Sequence, residues 1–396
     1  CVGIVECGCS NPRDVATSTV SVASTTATTS AFSPASTATI PSDSTLIQST
    51  SYKIGKYDAC WEVAPDKSVV VAICDQSNLR QWWKVYFGQL VNVDNSGNPQ
   101  CVGVADKLDG TLLTASSCGT GTGQFFFFNP SSNNIRPAVS YTCLTVNSSN
   151  GTINQKSCSN TADQQFIASK QDIFFPSFST TSCSSYTFRK EWRDMTTQDR
   201  QAFIDAMDAV RAMPSVVGRR SYFDDLVAVH ATFLNFVHGN HLFWPWHRAY
   251  ITIFEQALQK SNPEVTLPYW DWALDGDAPF QNTDIFGSNI SQYGTRGNPT
   301  ESYPTCISDG FAKSWTSMYG QCTSRNYTLD AVVYDDSYMI PLVLNSTDFG
   351  SFANAAETAH AVVHAYIGGL QGDLYYIDLS TNDPLFFLHH ANVGWL

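Results

Sequence analysis

The first 229 residues contain no histidine, although the chain has 396 residues and eight histidines. Every imidazole therefore lies in the second part of the molecule. Four lie within His230–Tyr250, and the other four are His360, His364, His389 and His390. Two dense groups of this kind predict two neighbouring nitrogen-rich metal sites.

Positive charge is also scarce. The chain has 22 Lys and Arg against 35 Asp and Glu, a formal net charge of −13. This balance predicts no basic surface for nucleic acid or anionic lipid. The sequence also lacks an apolar run of about 18 residues or more, which argues against a membrane span. We expect neither nucleic acid nor a membrane as a partner.

Cysteine and glycosylation sequons are abundant. There are twelve cysteines. Five Asn-x-Ser/Thr sequons begin at Asn147, Asn150, Asn289, Asn326 and Asn345. Together with the scarcity of lysine, these features predict an oxidising, secretory route. Because the chain begins at Cys1 and not at Met, we expect a removed signal sequence and an extracellular location.

Residues 1–51 do not have the composition of a packed domain. Cys1, Cys7 and Cys9 show no metal-like spacing, and their odd number requires a distant partner or a free thiol. From Val15 to Ser51 the sequence is almost wholly Ser, Thr, Ala and Val. This part is predicted to be a disordered linker.

Residues 52–172 contain a threefold repeat, defined by two cysteines and a glutamine followed by aromatic residues. The cysteines and glutamine of the copies are Cys60, Cys74 and Gln81; Cys101, Cys118 and Gln124; and Cys143, Cys158 and Gln164. Successive glutamines are 43 and 40 residues apart. Short apolar runs separated by Gly, Asn and Asp make each copy a β unit.

This repeat resembles the ricin-B-type β-trefoil. The resemblance implies the disulfides Cys60–Cys74, Cys101–Cys118 and Cys143–Cys158, and a possible glycan partner. Sugar-binding lobes of that family usually carry Asp two residues after the first cysteine, whereas this chain has Glu62, Gly103 and Thr145. Sugar binding and a structural or docking role therefore both remain open.

Residues 183–396 have a mainly helical pattern. Helices are predicted in the stretch 189–213, with Thr196 or Thr197 as a cap, at 222–236, from Pro245 onward, at 352–366 and from Asp383-Pro384 onward. Residues 262–350 are rich in Pro, Gly, Asn and Asp and are predicted to form long ordered loops. Cys306 and Cys322 are candidates for a disulfide within them.

The histidine spacing divides the eight residues into sites. His360 and His364 lie four residues apart on one helical face, and His390 can join them from a facing helix. His238 and His247 are nine residues apart, half a turn out of phase, so they need the break that Gly239 and Pro245 provide. Together with His230 they form a second three-histidine site. Neutral imidazoles without a carboxylate ligand favour copper.

The helical region resembles the type 3 copper family of tyrosinases, catechol oxidases and haemocyanins. The matching motifs are His238-Gly239, Trp244-Pro245-Trp246-His247-Arg248-x-Tyr250, Pro268–Trp272, His360-x3-His364 and Asp383-Pro384-x-Phe386…His389-His390. The resemblance implies two copper ions, one held by His230, His238 and His247 and the other by His360, His364 and His390. It also implies oxidation of o-diphenols to o-quinones by dioxygen. Alternatives are a haemocyanin-like dioxygen carrier and a carbohydrate-binding protein with a degenerate copper domain.

Departures from the family pattern refine this expectation. Phe236 replaces the cysteine that forms a thioether in many fungal members, and Ala361 replaces an Asn associated with monophenol hydroxylation. We therefore expect diphenol oxidation, with monophenol hydroxylation a weaker activity. Glu357 is the catalytic candidate, to orient water or accept a proton. His241 and His389 are expected to lie outside the ligand sets.

The predicted fold is thus multidomain. It consists of an N-terminal all-β trefoil and a mainly α-helical, four-helix-bundle type 3 copper domain. The family motif has Asp where this chain has Gly394, and the sequence stops at Leu396. We therefore expect the copper domain to be truncated at its C-terminus.

Overall fold

The computed structural model describes residues 4–7, 40, 43–93, 99–129, 131–169, 186–298, 300 and 304–394. Most of the predicted linker, together with Cys1, Cys9 and Cys183, lies outside these residues. The part described consists of a β region followed by a helical region. Among its helices none is long and apolar enough to cross a membrane.

The β region contains twelve consecutive strands. In chain order after β1 (Ile4–Cys7), they are β2 (Thr45–Ile54), β3 (Tyr57–Val63), β4 (Val69–Ile73), β5 (Trp82–Tyr86), β6 (Gln89–Asn92), β7 (Gln100–Gly103), β8 (Thr114–Ser117), β9 (Phe126–Asn129), β10 (Asn134–Pro137), β11 (Cys143–Val146), β12 (Ile153–Lys156) and β13 (Phe166–Ala168).

The pairing of these strands repeats with the period of the sequence. The hairpins β3–β4, β7–β8 and β11–β12 occupy equivalent places in the three lobes. The antiparallel pairs β5–β6, β9–β10 and β13–β2 join one lobe to the next and close the ring. A threefold arrangement of four-stranded lobes is a β-trefoil, so the repeat predicted the architecture correctly.

A disulfide and a glutamine stabilise each lobe. The disulfides are Cys60–Cys74, Cys101–Cys118 and Cys143–Cys158, as the resemblance implied. In every lobe the glutamine side chain bonds the backbone on both sides of the second cysteine. Its oxygen accepts from the N–H of Asp75, Gly119 or Ser159 at 2.7–2.8 Å, and its nitrogen donates to the carbonyl before the cysteine at 2.9–3.0 Å. The repeated Gln is therefore a structural residue.

The trefoil begins earlier than the sequence suggested. Thr45–Ser51, assigned to the disordered linker, lies in strand β2, which pairs with β3, β5 and β13. Composition was misleading here because the few apolar residues of this stretch fall at buried positions. Leu46 and Ile47 are both buried. The prediction of disorder is wrong for these residues.

The helical region begins with strand β14 (Tyr186–Arg189) and contains six α-helices within the described residues. They are α1 (Thr197–Ala212), α2 (Tyr222–Val237), α3 (Phe243–Ser261), α4 (Asp336–Asn345), α5 (Phe349–Gly368) and α6 (Leu385–Val393). Thr196 caps α1 in a capping box with Asp199. The predicted staple Cys306–Cys322 is present.

Two predictions in this region are wrong. Helix α1 does not extend back to residue 189, because β14 and a 3-10 turn at Trp192–Asp194 precede it. Helix α4 occupies part of the stretch predicted to be loop. The sequence did not indicate this helix because Pro341 lies inside it, and proline is unusual in a helix interior. Strand β14 also pairs with β1 from the start of the chain, a contact that no local pattern announces.

The two regions are packed against each other. Phe125 of the trefoil lies 5.4 Å, centroid to centroid, from Phe233 of α2. The Tyr86 hydroxyl donates to the buried Asp225 carboxylate at 2.7 Å. Thr232 donates to the carbonyl of Thr120. One face of the trefoil is therefore covered by α2.

Candidate metal centre

The first cluster consists of His230, His238 and His247. His230 lies inside α2, His238 ends that helix, and His247 lies in the first turns of α3. Gly239 follows with a φ of 68°, which breaks the helix as the spacing required. The Nε2 atoms of His230 and His247 are 3.4 Å apart. One donor atom from each ring lies within 4.8 Å of the other two.

The second cluster is formed by α5 and α6. His360 and His364 lie one turn apart on α5, and their Nε2 atoms are 3.1 and 3.3 Å from Nε2 of His390. The His389 ring is also present, stacked on His360 at 5.0 Å. Donor atoms of all four rings lie within 4.8 Å of one another. The structure therefore places His389 within reach of the predicted ligands, although the sequence prediction left it out of the ligand set.

The two clusters are adjacent. The rings of His247 and His390 are stacked with centroids 4.5 Å apart and planes 13° from parallel. His247 and His360 are 6.5 Å apart. All six predicted ligands thus surround one small volume. All except the half-buried His238 are buried.

Hydrogen bonds orient four of the rings. Nδ1 of His238, His247, His360 and His364 faces the backbone carbonyls of Leu234, Phe243, Glu357 and Leu374 at 2.8–3.2 Å. A carbonyl can only accept, so each Nδ1 carries the proton and each Nε2 keeps a lone pair. In this tautomer the lone pairs of His360 and His364 both point at His390.

This donor set fits a metal ion. Two lone pairs facing each other in a buried pocket repel unless a cation lies between them. An ion about 2.0–2.1 Å from each nitrogen in tetrahedral geometry would hold the nitrogens about 3.3 Å apart, close to the spacings found. Nδ1 of His230 and His390 and both nitrogens of His389 have no hydrogen-bond partner among the described residues. Buried, unsatisfied imidazoles of this kind are typical of a binding site.

Burial also keeps these rings neutral. It lowers the pKa of His364 to about 4 and the pKa of His230, His247, His360 and His390 well below the usual value. Neighbouring imidazoles add to the effect in most of them. A neutral imidazole is the form that binds metal. The pocket therefore keeps its imidazoles unprotonated, in the form that binds a metal cation.

Two buried ion pairs anchor the helices that carry the histidines. Arg189 makes a two-point contact with Glu255 of α3, whose carboxylate also accepts from the Leu267 N–H. Arg325 makes an equivalent contact with Asp383, at 2.8 and 2.9 Å. Both partners of each pair are buried.

Asp383 lies directly before Pro384, the N-cap residue of helix α6. The Asp383 carboxylate accepts a hydrogen bond from the backbone N–H of Leu385, in the first turn of the helix that carries His389 and His390. The sequence assigned Asp383 to the helix start but gave no sign of its partner Arg325, 58 residues away.

The remaining predicted residues lie as follows. The half-buried Glu357 accepts a hydrogen bond from the N–H of Gly239 at 2.6 Å, and burial raises its pKa. It thereby connects α5 with the loop that follows His238. His241 is exposed, outside both clusters. Trp270 donates its backbone N–H to Leu388 of α6 and its ring N–H to Asp275.

The described molecule is thus a β-trefoil joined to a helical domain with two adjacent histidine clusters. Residues 220–396 match the family model of the common central domain of tyrosinase, and residues 48–177 match the ricin-type β-trefoil lectin domain. The family resemblances of both regions are therefore confirmed: the helical region is similar to the tyrosinase central domain, and the β region to the ricin-type trefoil lectin domain.

Individual relatives share at most about a third of their residues with this chain over the aligned part. The chain is 30% identical over 244 residues to the tyrosinase-like protein phomQ1' of Diaporthe leptostromiformis, covering 54% of this chain and 63% of that protein. It is 28% identical over 212 residues to the G-type hemocyanin of Enteroctopus dofleini, covering 52% of this chain and 6% of that protein.

Among solved structures, a polyphenol oxidase mutant from Thermothelomyces thermophila aligns at 22% identity with a TM-score of 0.46, covering 52% of this chain and 68% of that one. Of phomQ1', the first relative named above, the chain spans less than two thirds of the length.

Proposed function

We propose that the protein oxidises o-diphenols to o-quinones with dioxygen at a dinuclear copper centre. His230, His238 and His247 would hold one ion, and His360, His364 and His390 the other. The observation that carries the proposal is the convergence of six imidazoles without a carboxylate among them, a donor set that suits copper. Each dioxygen accepts the electrons of two diphenol molecules and leaves as two waters.

Copper, when bound, supplies the electron transfer between diphenol and dioxygen. The chain supplies geometry. The Nδ1–carbonyl bonds fix four rings before any ion binds, and such contacts behind a ligand typically govern metal affinity about 10- to 100-fold. The ring centroid of the buried Phe243 lies 4.5 Å from that of His247 and 4.8 Å from that of His360, so one apolar ring borders both clusters.

The substrate preference follows from the residues beside the second cluster. Ala361 is exposed and Ala365 half-buried, and neither offers a polar group to a bound phenol. The nearby carboxylate, Glu357, is engaged by the Gly239 N–H. A catechol brings its own second hydroxyl, whereas a monophenol needs a base to deprotonate it. We therefore propose diphenols as the main substrates, with weak monophenol hydroxylation.

For the trefoil we propose a docking role. The residues that stand two positions after the first cysteine of each lobe make contacts within the trefoil or leave no room for an acid. Glu62 accepts from Asn78 and Gln81 at 3.0 and 2.8 Å, and Thr145 accepts from Gln164. At Gly103 a Cβ atom would lie 2.8 Å from the Gln124 side chain, so no acid fits there. Glycan binding is the weaker alternative. The four disulfides found among the described residues support an extracellular location.

The test is turnover by the copper-loaded chain. We expect 4-tert-butylcatechol to give its quinone with one dioxygen consumed for every two catechols, and 4-tert-butylphenol to react far more slowly. The His241→Ala variant is the matched control, because His241 is an exposed histidine outside both clusters. Reversible dioxygen binding without quinone would favour the haemocyanin-like alternative. Glycan binding by a chain that retains no copper would favour the degenerate-domain alternative.

A further inference from the structure

A second, separate cavity lies between the trefoil and the helical region. Its volume is about 650 Å³, within the usual range of small-molecule sites. Phe127 and Tyr141 line it from the trefoil, and Phe233, Phe236 and Trp246 from α2 and α3. The walls are thus mainly aromatic. None of the histidines lines it, so it is distinct from the metal centre.

The cavity contains one cationic side chain. Arg136 of β10 lines it, and the buried Nε atom of Arg136 has no hydrogen-bond partner among the described residues. No carboxylate is among the lining residues, although the chain as a whole carries a net charge of −13. A planar guanidinium with an unused donor in an apolar cavity is suited to a carboxylate or a similar anion.

The backbone supports the same interpretation. Phe87 and Tyr141, which both line the cavity, have φ values of 48° and 57°. The left-handed region is unfavourable for a bulky residue, because its Cβ atom crowds the following carbonyl oxygen. Phe87 occupies the first place of the two-residue turn between β5 and β6, where Asn or Gly is favoured. In the connection between β9 and β10 the residue with positive φ is Asn133, as expected.

Packing between the domains does not explain the strain at Tyr141. Tyr141 is 51% exposed, so about half of its surface is not covered by neighbouring residues. Its ring is stacked on Phe127 at 5.5 Å and lies 5.6 Å from Phe236, so it joins the trefoil wall to the helical wall. An unfavourable backbone that presents a half-open aromatic ring to a cavity favours a ligand-binding role over a packing role.

We propose that this interdomain cavity binds a small aromatic anion, with its ring between the aromatic walls and its anionic group on Arg136. The proposal does not depend on the oxidase function. The ligand class follows from charge and shape: aromatic walls favour a planar ring, and one unpaired guanidinium favours a single carboxylate.

The test uses the copper-loaded full chain and two probes of nearly equal shape, 2-naphthoate and its neutral analogue 2-naphthamide, by titration calorimetry. We expect naphthoate to bind more tightly. Arg136→Met should weaken naphthoate about tenfold or more and naphthamide much less, because only the carboxylate loses a charge-assisted hydrogen bond. Arg80→Met is the matched control, an arginine of the same domain that pairs with Glu62 outside the cavity.

A second variant tests the aromatic wall of the cavity, so that the proposal remains testable if Arg136→Met does not fold. Tyr141→Gly removes an aromatic wall, but glycine adopts the positive φ without strain, so the relief of strain partly offsets the lost ring contacts and a cooperative melting transition should be retained. Both probes should then bind about two- to tenfold more weakly. Equal binding of the two probes, or naphthoate binding that is unchanged in Arg136→Met, would show that the anion binds elsewhere, for example at the histidines. If a protein segment fills the cavity, neither probe binds. Either result overturns the proposal.

Discussion

The two histidine clusters present similar donors but are built in different ways. The first is spread over the end of α2, a loop and the start of α3, and its His238 is half-buried. The second is confined to α5 and α6 and is fully buried, with His389 as a spare imidazole. The first cluster is therefore held by a loop contact from Glu357, and the second by the anchoring of a short helix. Removal of these two contacts should therefore affect copper binding and stability differently in the two clusters.

The largest effect is expected from removal of a ligand. His247→Ala and His390→Ala should each abolish diphenol oxidation and leave about one copper ion per chain, because the unaltered cluster keeps its three imidazoles. Copper content and quinone formation measure both outcomes, with His241→Ala as the control. Retention of both copper ions by His390→Ala would show that His389 takes its place as a ligand.

The next effect distinguishes the anchoring of the two helices. Asp383→Asn removes the carboxylate that pairs with the buried Arg325, and Glu255→Gln removes the carboxylate that the buried Arg189 contacts at two points. Each should lower the free energy of unfolding by about 3–5 kcal/mol. Asp383→Asn should also lower copper retention more, because α6 has nine residues and α3 has nineteen. Urea unfolding followed by tryptophan fluorescence measures the stability.

The matched control for these ion pairs is Asp58→Asn. Asp58 pairs with Lys53 on the surface, where both side chains are more than half exposed. The unfolding free energy should not change measurably. An effect as large as that of Asp383→Asn would show that burial is not the cause.

Acid should act on the copper-free chain through the buried rings. The pKa of His364 is lowered to about 4 in the fold, against 6.5 for the ordinary side chain. Between these values the unfolded chain binds a proton that the folded chain does not, so the unfolding free energy falls as the pH drops from 6.5 towards 4. Urea midpoints of the copper-free chain across this range should decrease with acidification. Midpoints that rise would contradict neutral buried imidazoles.

A smaller effect is expected at the loop of the first cluster. Glu357→Ala removes the acceptor of the Gly239 N–H, and copper affinity of the first cluster should fall about tenfold. Glu357→Gln keeps an acceptor oxygen and should remain near the wild type. If Glu357 instead transfers a proton, both variants would lose turnover with copper affinity unchanged. Competition with a copper chelator and steady-state rates separate the two roles.

The smallest effect concerns the trefoil contact with α2, the helix that carries His230. Tyr86→Phe removes one donor to Asp225, which keeps Ser215 and Arg219 as partners. A loss of about 1.5 kcal/mol in unfolding free energy is expected. Tyr57→Phe, at a half-exposed ring of the same trefoil, is the control and should have no effect.

Local patterns made much of this architecture predictable. The trefoil was readable because each lobe repeats a disulfide and a glutamine that bonds the backbone beside it. The spacing of His360 and His364 and the break at Gly239 were readable because helix geometry fixes which side chains meet. These signals span a few residues, or recur at a fixed period, so one sequence is enough to detect them.

Contacts between distant residues were not predictable in this way. The pairing of β1 with β14, the Arg325–Asp383 ion pair and the packing of Phe127 near α2 join segments that share no local pattern. Helix α4 was missed because Pro341 normally argues against a helix interior. The cavity beside Arg136 exists only once the two regions have packed together, so no sequence motif could announce it.

We propose above all that this chain holds a dinuclear copper centre on six histidines. Its most direct test is the copper content of the full chain after loading and exhaustive dialysis, measured by elemental analysis against protein concentration. We expect about two copper ions per chain, and none tightly held when both His247 and His390 are replaced by alanine. A wild-type content well below two, or two ions retained by the double variant, would contradict it.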